Sequence, residues 1–304
     1  MKFENIGMVG YGEVGKIFTA GLKGKATGVS AWDLKFEVPA LREAHLAHAA
    51  QAGVAACPSM AELCAKSDLL ISAVTASNTL AVAQAAAPHI RPGTVFLDLN
   101  SASPGTKQQA AALMEAAGGR YVEAGVMTSV PPYGIRVPML LGGALAADLA
   151  GVLGALGMDA KAVSEKIGVA SAIKMCRSVM IKGLEALVIE SYTTARAYGV
   201  EDFVLPTLAE TFPSIDWDKQ GAYFFSRVVQ HGQRRAEEMR EAARTVHEAG
   251  PGFEPFMASA IADKQQWVAD QAKQGLFDWL GKDARWQDYA DRLLAATPKA
   301  SRSE

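Results

Sequence analysis

The sequence predicts an α/β protein, a doubly wound and mostly parallel sheet followed by an all-α C-terminal domain. Three observations predict it. Short apolar runs alternate with alanine-rich helical segments through the first half of the chain. Strand-like runs stop near residue 165, and only helical patterns follow. The first apolar run leads through Gly10-Tyr11-Gly12-Glu13-Val14-Gly15 into a helix, a strand–turn–helix opening. The expected division is therefore a dinucleotide-binding domain over 1–164 and a helical substrate and dimerisation domain over 165–304.

Strands are predicted at 5–10, 28–33, 68–74, 94–99, 120–125 and 137–143, with helices at 13–24, 40–52, 78–88 and 104–117 between them. The segment 138–158 carries only Asp148 as a charge and approaches membrane-spanning length. It is rich in glycine and alanine, and it splits into a strand and a helix in which Leu145, Leu149, Val152 and Leu156 recur at helical period. It is therefore not read as a membrane span. Helices follow at 168–198, 202–212, 216–249, 254–274 and 285–296, separated by Gly-Val, Phe-Pro and Gly-Pro-Gly signals. The tail 297–304 is expected to fray.

Bulk composition narrows the function. The chain has 304 residues, 50% hydrophobic and 20% charged, with a net charge of −2. That is an ordinary globular balance with no electrostatic footprint for nucleic acid or anionic membrane. Cys57, Cys64 and Cys176 form neither a metal pattern nor an even disulfide set, and His45, His48, His89 and His247 show no metal spacing. With an N-terminus that enters a strand at once, the expectation is a cytoplasmic protein with no metal.

The glycine pattern carries the first chemistry. Gly10 permits a tight turn, Gly12 lets backbone approach a pyrophosphate, and Gly15 lets helix and strand pack closely; Tyr11, Glu13 and Val14 complete the loop. The helix N-terminus faces the phosphate charge, as in a Rossmann-type domain. Asp33 ends the second strand eighteen residues after Gly15, where a carboxylate accepts the ribose hydroxyls. That favours NAD over NADP, because a carboxylate repels a 2′-phosphate. Lys35 is either a solvated loop lysine or a ligand to that phosphate. Val74 and Thr75 end the strand at the switch point and are expected to touch the cofactor, with a helix cap as the alternative for Thr75.

In the helix opening the second half, Lys174 shares a face with Ser171, three residues back, and Ser178, four on. Small, apolar surroundings lower a lysine's pKa toward the working range of a general acid/base. Its alternative is a solvated helix lysine. Arg227, His231, Arg234 and Glu238 share a face of a later helix, either a salt-bridged solvated surface or a means of choosing an acidic substrate through His231 and Arg234. Tyr223, Phe224, Phe225 and Trp267 are more aromatic surface than one helical layer buries, which predicts a homodimer formed through this domain.

In order along the chain, GMVGYGEVG, LDLNSASPGTK (97–107) and YVEAGVMTSVPP (121–132) resemble the β-hydroxyacid dehydrogenase superfamily of 3-hydroxyisobutyrate and 6-phosphogluconate dehydrogenases. The resemblance implies substrate contacts from Asn100 and Ser101, whose alternative is a helix N-cap region with Ser103 as the capper. It places Thr128 in a second substrate loop, where the family has Pro-Val-Ser-Gly-Gly and this chain has Val126-Met127-Thr128. It makes Lys174 the catalytic lysine, joined as catalytic residues by Ser101 and by Ser178, which stands where the family has asparagine and is placed to hydrogen-bond the amine or the substrate; Ser171, on the same helix face, is expected to let the substrate close on the lysine. The implied activity is NAD(P)-dependent hydride transfer at a small β-hydroxy acid, with or without decarboxylation. An imine reductase shares this architecture but usually lacks the lysine; a non-catalytic nucleotide-binding regulator is the alternative from another class.

Overall fold

The computed structural model describes residues 2–296; the tail predicted to fray lies outside them. The first half runs β1 (Asn5–Val9), α1 (Glu13–Leu22), β2 (Gly28–Trp32), α2 (Pro39–Ala52), β3 (Ala55–Ala56), α3 (Met60–Lys66), β4 (Leu69–Ser72) and α4 (Thr79–Ala86). It continues through β5 (Val95–Asp98), α5 (Pro104–Ala116), β6 (Arg120–Val126), β7 (Met139–Gly142), α6 (Ala146–Ala155) and β8 (Ala160–Ser164). The helices α7 (Val169–Tyr198), α8 (Glu201–Thr211), α9 (Trp217–Glu248), α10 (Phe256–Lys273) and α11 (Trp286–Ala296) follow.

The strands form one sheet in the order β3-β2-β1-β4-β5-β6-β7-β8. Every pairing is parallel except β6 with β7. The doubly wound, mostly parallel sheet predicted from the alternating pattern is the sheet observed. β4 shows why a continuous apolar run suits it: Leu69 and Ile71 enter one core, Leu70 the other, and all are fully buried. The suspect segment 138–158 resolves into β7 and α6, and among the described residues no helix is long and apolar enough to cross a membrane. The prediction omitted β3, α3 and β8. β3 is two alanines and carries no periodicity, and β8 is a half-buried sheet end rather than an apolar run.

Two compact units emerge. One comprises residues up to Cys176 together with Glu248–Pro251; the other comprises Arg177–His247 and the described residues from Gly252 on. The boundary falls inside α7. The second unit is all-helical, with a core of Tyr192, Phe225, Val228, Val268, Trp286 and their neighbours. Tyr192 and Trp286 meet edge to face at 4.8 Å between ring centroids.

Strand order reverses between β1 and β4, which opens a crevice at their carboxyl ends. Gly10 and Val74 follow these two neighbouring strands, so the register brings the glycine loop and the β4 exit together.

Candidate active site

The glycine loop has the shape its motif requires. Gly10 has φ +93°, and a Cβ there would lie 2.5 Å from the Ala73 carbonyl oxygen. At Gly15 a Cβ would lie 2.0 Å from the Gly10 carbonyl oxygen, so any side chain would force α1 off the loop. Gly12 differs: nothing lies within 4 Å of the space a Cβ would take. The first-turn N–H groups of α1, those of Glu13 and Val14 among them, have no acceptor within the helix. An open cradle with unused donors at a helix N-terminus fits a pyrophosphate.

Asp33 accepts hydrogen bonds from the Tyr11 N–H (2.6 Å, Oδ2) and the Lys35 N–H (2.8 Å, Oδ1). Its carboxylate therefore holds the glycine loop against the end of β2, and its remaining lone pairs are what a ribose diol would meet. Lys35 is exposed. Tyr11 turns its ring into the core, where its hydroxyl meets His48 Nδ1 at 3.1 Å and its ring lies 5.8 Å from Phe36. Burial pushes its phenol pKa up. Only the backbone of Tyr11 borders the loop, and its N–H is already engaged by Asp33.

At the β4 exit, the Val74 N–H donates to Asn100 Oδ1 at 2.6 Å, and Asn100 Nδ2 donates to Ser72 Oγ at 2.9 Å. Asn100 is buried and ties the end of β5 to the end of β4. Thr75 is exposed and accepts from Asn78 Nδ2 at 2.8 Å. Ser103 caps α5, accepting from the Thr106 N–H at 3.2 Å, and donates to Glu248 Oε1 at 2.8 Å.

Next to Asn100, Ser101 accepts a short hydrogen bond from Lys174 Nζ. These two predicted site residues, 73 positions apart, are thus brought into contact at the carboxyl edge of the sheet. Both stand on buried carboxylates that the sequence reading did not single out. Asp98, fully buried, accepts from the Asn100 N–H (2.8 Å), Lys107 Nζ (2.9 Å) and the Tyr121 hydroxyl (2.5 Å). Burial, then the charge of Asp98, holds the Tyr121 phenol protonated well above its usual range. Glu123, also fully buried, accepts from the N–H groups of Gly168 (2.7 Å), Ala170 (3.0 Å) and Ser171 (3.3 Å) at the start of α7. A signal for both was present: carboxylates inside otherwise apolar strands are costly unless partnered.

The remaining predicted residues are placed as follows. Ser171 is buried and donates its hydroxyl to the Gly168 carbonyl of its own helix at 3.0 Å. Thr128 is exposed on the loop after β6. In the second unit, Ser178 accepts from Lys182 Nζ at 3.2 Å, and Lys182 pairs with Glu238 at 2.8 Å. Arg234 lies on the exposed face of α9, 3.7 Å from Glu238, and His231 is half-buried one turn earlier. Among the described residues, no group of three or more His, Cys, Asp or Glu could hold a metal ion.

Comparison with known proteins bears on the fold and on the domains that make it up. Residues 5–132 match the NAD binding domain of 6-phosphogluconate dehydrogenase, and residues 195–268 match a domain of unknown function, DUF1932. A conserved hypothetical protein from Sinorhizobium meliloti is 38% identical, with a TM-score of 0.75 and 96% of each chain covered. A conserved protein whose structure reveals similarity with 3-hydroxyacid dehydrogenases is 28% identical, with a TM-score of 0.66 over 88% of this chain and 99% of that one. The 3-hydroxyisobutyrate dehydrogenase of Mycobacterium tuberculosis, solved with L-serine, shares the fold at 18% identity, with a TM-score of 0.67 over 96% of this chain and 99% of its own. Over 96% of its length this chain belongs with the Sinorhizobium meliloti protein, in the family that joins a domain like the NAD binding domain of 6-phosphogluconate dehydrogenase to a DUF1932 helical domain.

Proposed function

We propose that the chain is an NAD(P)-dependent oxidoreductase acting at the hydroxyl carbon of a small β-hydroxy acid, with Lys174 as general acid/base. The observation that carries this reading is the Lys174–Ser101 hydrogen bond at the carboxyl edge of a sheet whose glycine loop fits a dinucleotide. When bound, the nicotinamide supplies a hydride acceptor or donor. Lys174 as neutral amine takes the proton of the substrate hydroxyl while the carbinol carbon loses hydride, leaving a β-keto acid. In the reverse direction the ammonium returns that proton to the carbonyl oxygen. Ser101 holds the amine and offers its hydroxyl to the substrate oxygen.

Asp33 favours NAD in this reading, and Gly10, Gly12, Glu13, Val14 and Gly15 surround the pyrophosphate. Asn100 acts by holding the Val74 backbone and the Ser72 hydroxyl, because its amide already bonds both. Thr128, on the loop after β6, is the further side chain of this unit that would select the substrate. Decarboxylation of the β-keto product belongs to the same proposal as an optional second step.

The test is a screen of small β-hydroxy acids with NAD and NADP, following reduced nicotinamide absorbance. Turnover that depends on a hydroxy acid supports the dehydrogenase. Turnover confined to imines turns the assignment to an imine reductase, and cofactor binding without turnover on either class turns it to a non-catalytic nucleotide-binding protein.

A further inference from the structure

β6 carries two residues whose arrangement has no purpose in the sheet itself. Glu123 and Gly125 are two apart on one strand, so they face the same way. The Glu123 carboxylate takes three backbone N–H groups at the start of α7, those of Gly168, Ala170 and Ser171. A carboxylate at a helix N-terminus satisfies donors the helix cannot and opposes the positive end of the helix dipole. Room for it comes from Gly142, its cross-strand partner on β7, where a Cβ would lie 2.5 Å from Glu123 Oε1. At Gly125 a Cβ would lie 2.9 Å from the Ala170 carbonyl oxygen and 3.4 Å from Lys174 Cβ. The bare strand is thus in contact with the turn of α7 that carries Lys174.

We infer that Glu123 and Gly125 form a seat that positions Lys174 against Ser101, so that both are positioning residues acting on proton transfer through Lys174. This rests on the proposed role of Lys174. Glu123 fixes the start of α7, and Gly125 fixes the depth at which its next turn lies. Lys174 is one turn beyond Ala170, so a shift of α7 on β6 moves the amine relative to Ser101. The other half of the contact is fixed independently: Asp98, register partner of Glu123 on β5, holds the Asn100 N–H next to Ser101. Two neighbouring buried carboxylates therefore each anchor one side of the Lys174–Ser101 pair.

The test uses Glu123→Gln and Gly125→Ala, each alone and combined with Lys174→Ala, in the full chain. Misplacement of a reacting group by a fraction of a turn is expected to lower kcat roughly 10- to 100-fold. Cofactor affinity, read by fluorescence titration, should stay within about twofold of wild type, because the glycine loop is untouched. In the Lys174→Ala background neither substitution should reduce the residual rate further. Equal fold-losses in both backgrounds would overturn the inference, since a merely structural effect is additive.

A second readout needs no substrate. Trace acylation of Lys174, measured by mass spectrometry against exposed Lys35 as internal reference, should change several-fold in either variant. An unchanged ratio in folded protein would overturn the seat even if no hydroxy acid is ever turned over. A wild type without turnover but with altered labelling in the variants would instead overturn the dehydrogenase reading and leave the seat standing. Should Glu123→Gln fail to fold, Glu123→Asp, which keeps the carboxylate, and Gly125→Ala carry the same measurements.

Discussion

Lys174 and Asp33 hold the two side chains on which the proposed chemistry depends, and each has already been given a partner by the fold. Lys174→Ala removes the acid/base but leaves the glycine loop intact, so turnover should fall by roughly 10²–10⁴ with cofactor binding retained. Lys174→Arg keeps the charge on a group that cannot release its proton at working pH, so its activity should collapse too. Near-normal kcat in the arginine variant would show that the lysine only anchors an anion. Asp33→Ala should narrow the preference for NAD over NADP, read from paired titrations. It should also weaken both cofactors, because the Tyr11 and Lys35 N–H groups lose their acceptor. A wild-type preference for NADP would contradict the role of Asp33 and promote Lys35 to phosphate ligand. Lys174 was legible in the sequence from its place in a small-residue helix. The inward turn of Tyr11 and the engaged amide of Asn100 were not, because side-chain direction is set by neighbours distant in the chain.

The elements that carry these residues are tied at their ends. β1 begins where Asp68 accepts from the N–H groups of Asn5 (3.0 Å) and Glu4 (3.3 Å) and pairs with Arg91 at 2.9 Å. Burial works to raise the Asp68 pKa, but the Asn5 N–H and the Arg91 guanidinium outweigh it and hold the carboxyl below its usual value. A depressed carboxyl contributes stability that is present above its unfolded pKa, about 3.9, and lost as pH falls through the folded value. Asp68→Asn should therefore lower Tm near neutral pH and converge with wild type in acid; a constant Tm difference down to about pH 2 would refute the linkage. The cap of α3 offers a simpler case. Ser59 accepts from the Glu62 N–H at 3.2 Å, so Ser59→Ala should cost about 1 kcal/mol, seen as a lower urea midpoint at unchanged m. α3, seven residues long, was too short to stand out by periodicity, so neither it nor its cap was read from the sequence.

For the whole molecule, the expected assembly is a homodimer through the helical half. Phe224 and Phe225, two of the aromatics that suggested it, are absorbed by the core of the second unit, while Tyr223 is 54% exposed. The stronger argument is now α7, where Ile173, Met180, Leu184 and Leu187 repeat at helical spacing and stay exposed, Met180 by 73%. Light scattering at micromolar concentration should give twice the chain mass; a monomer mass would contradict it. The thiols give a second check on the fold. Burial pushes the Cys64 thiol up to about 11 and raises that of Cys57, whereas Cys176 is exposed. A thiol reagent at neutral pH should label Cys176 quickly and the other two only in denaturant. Rapid labelling of Cys64 in native protein would show that its cluster is open.

The sequence by itself determined the alternation of strands and helices, the glycine cradle and the place of the lysine. These are local properties: hydrophobic period, turn chemistry and spacing act over a few residues and survive without knowledge of partners. Only the tertiary structure decided that Lys174 meets Ser101, that Asp98 and Glu123 lie side by side, and that Glu123 grips a helix 45 residues on. Those contacts follow from strand order and register. A buried carboxylate written in the sequence shows that partners must exist, because isolation would be too costly, but it does not say which N–H groups the sheet will bring to it.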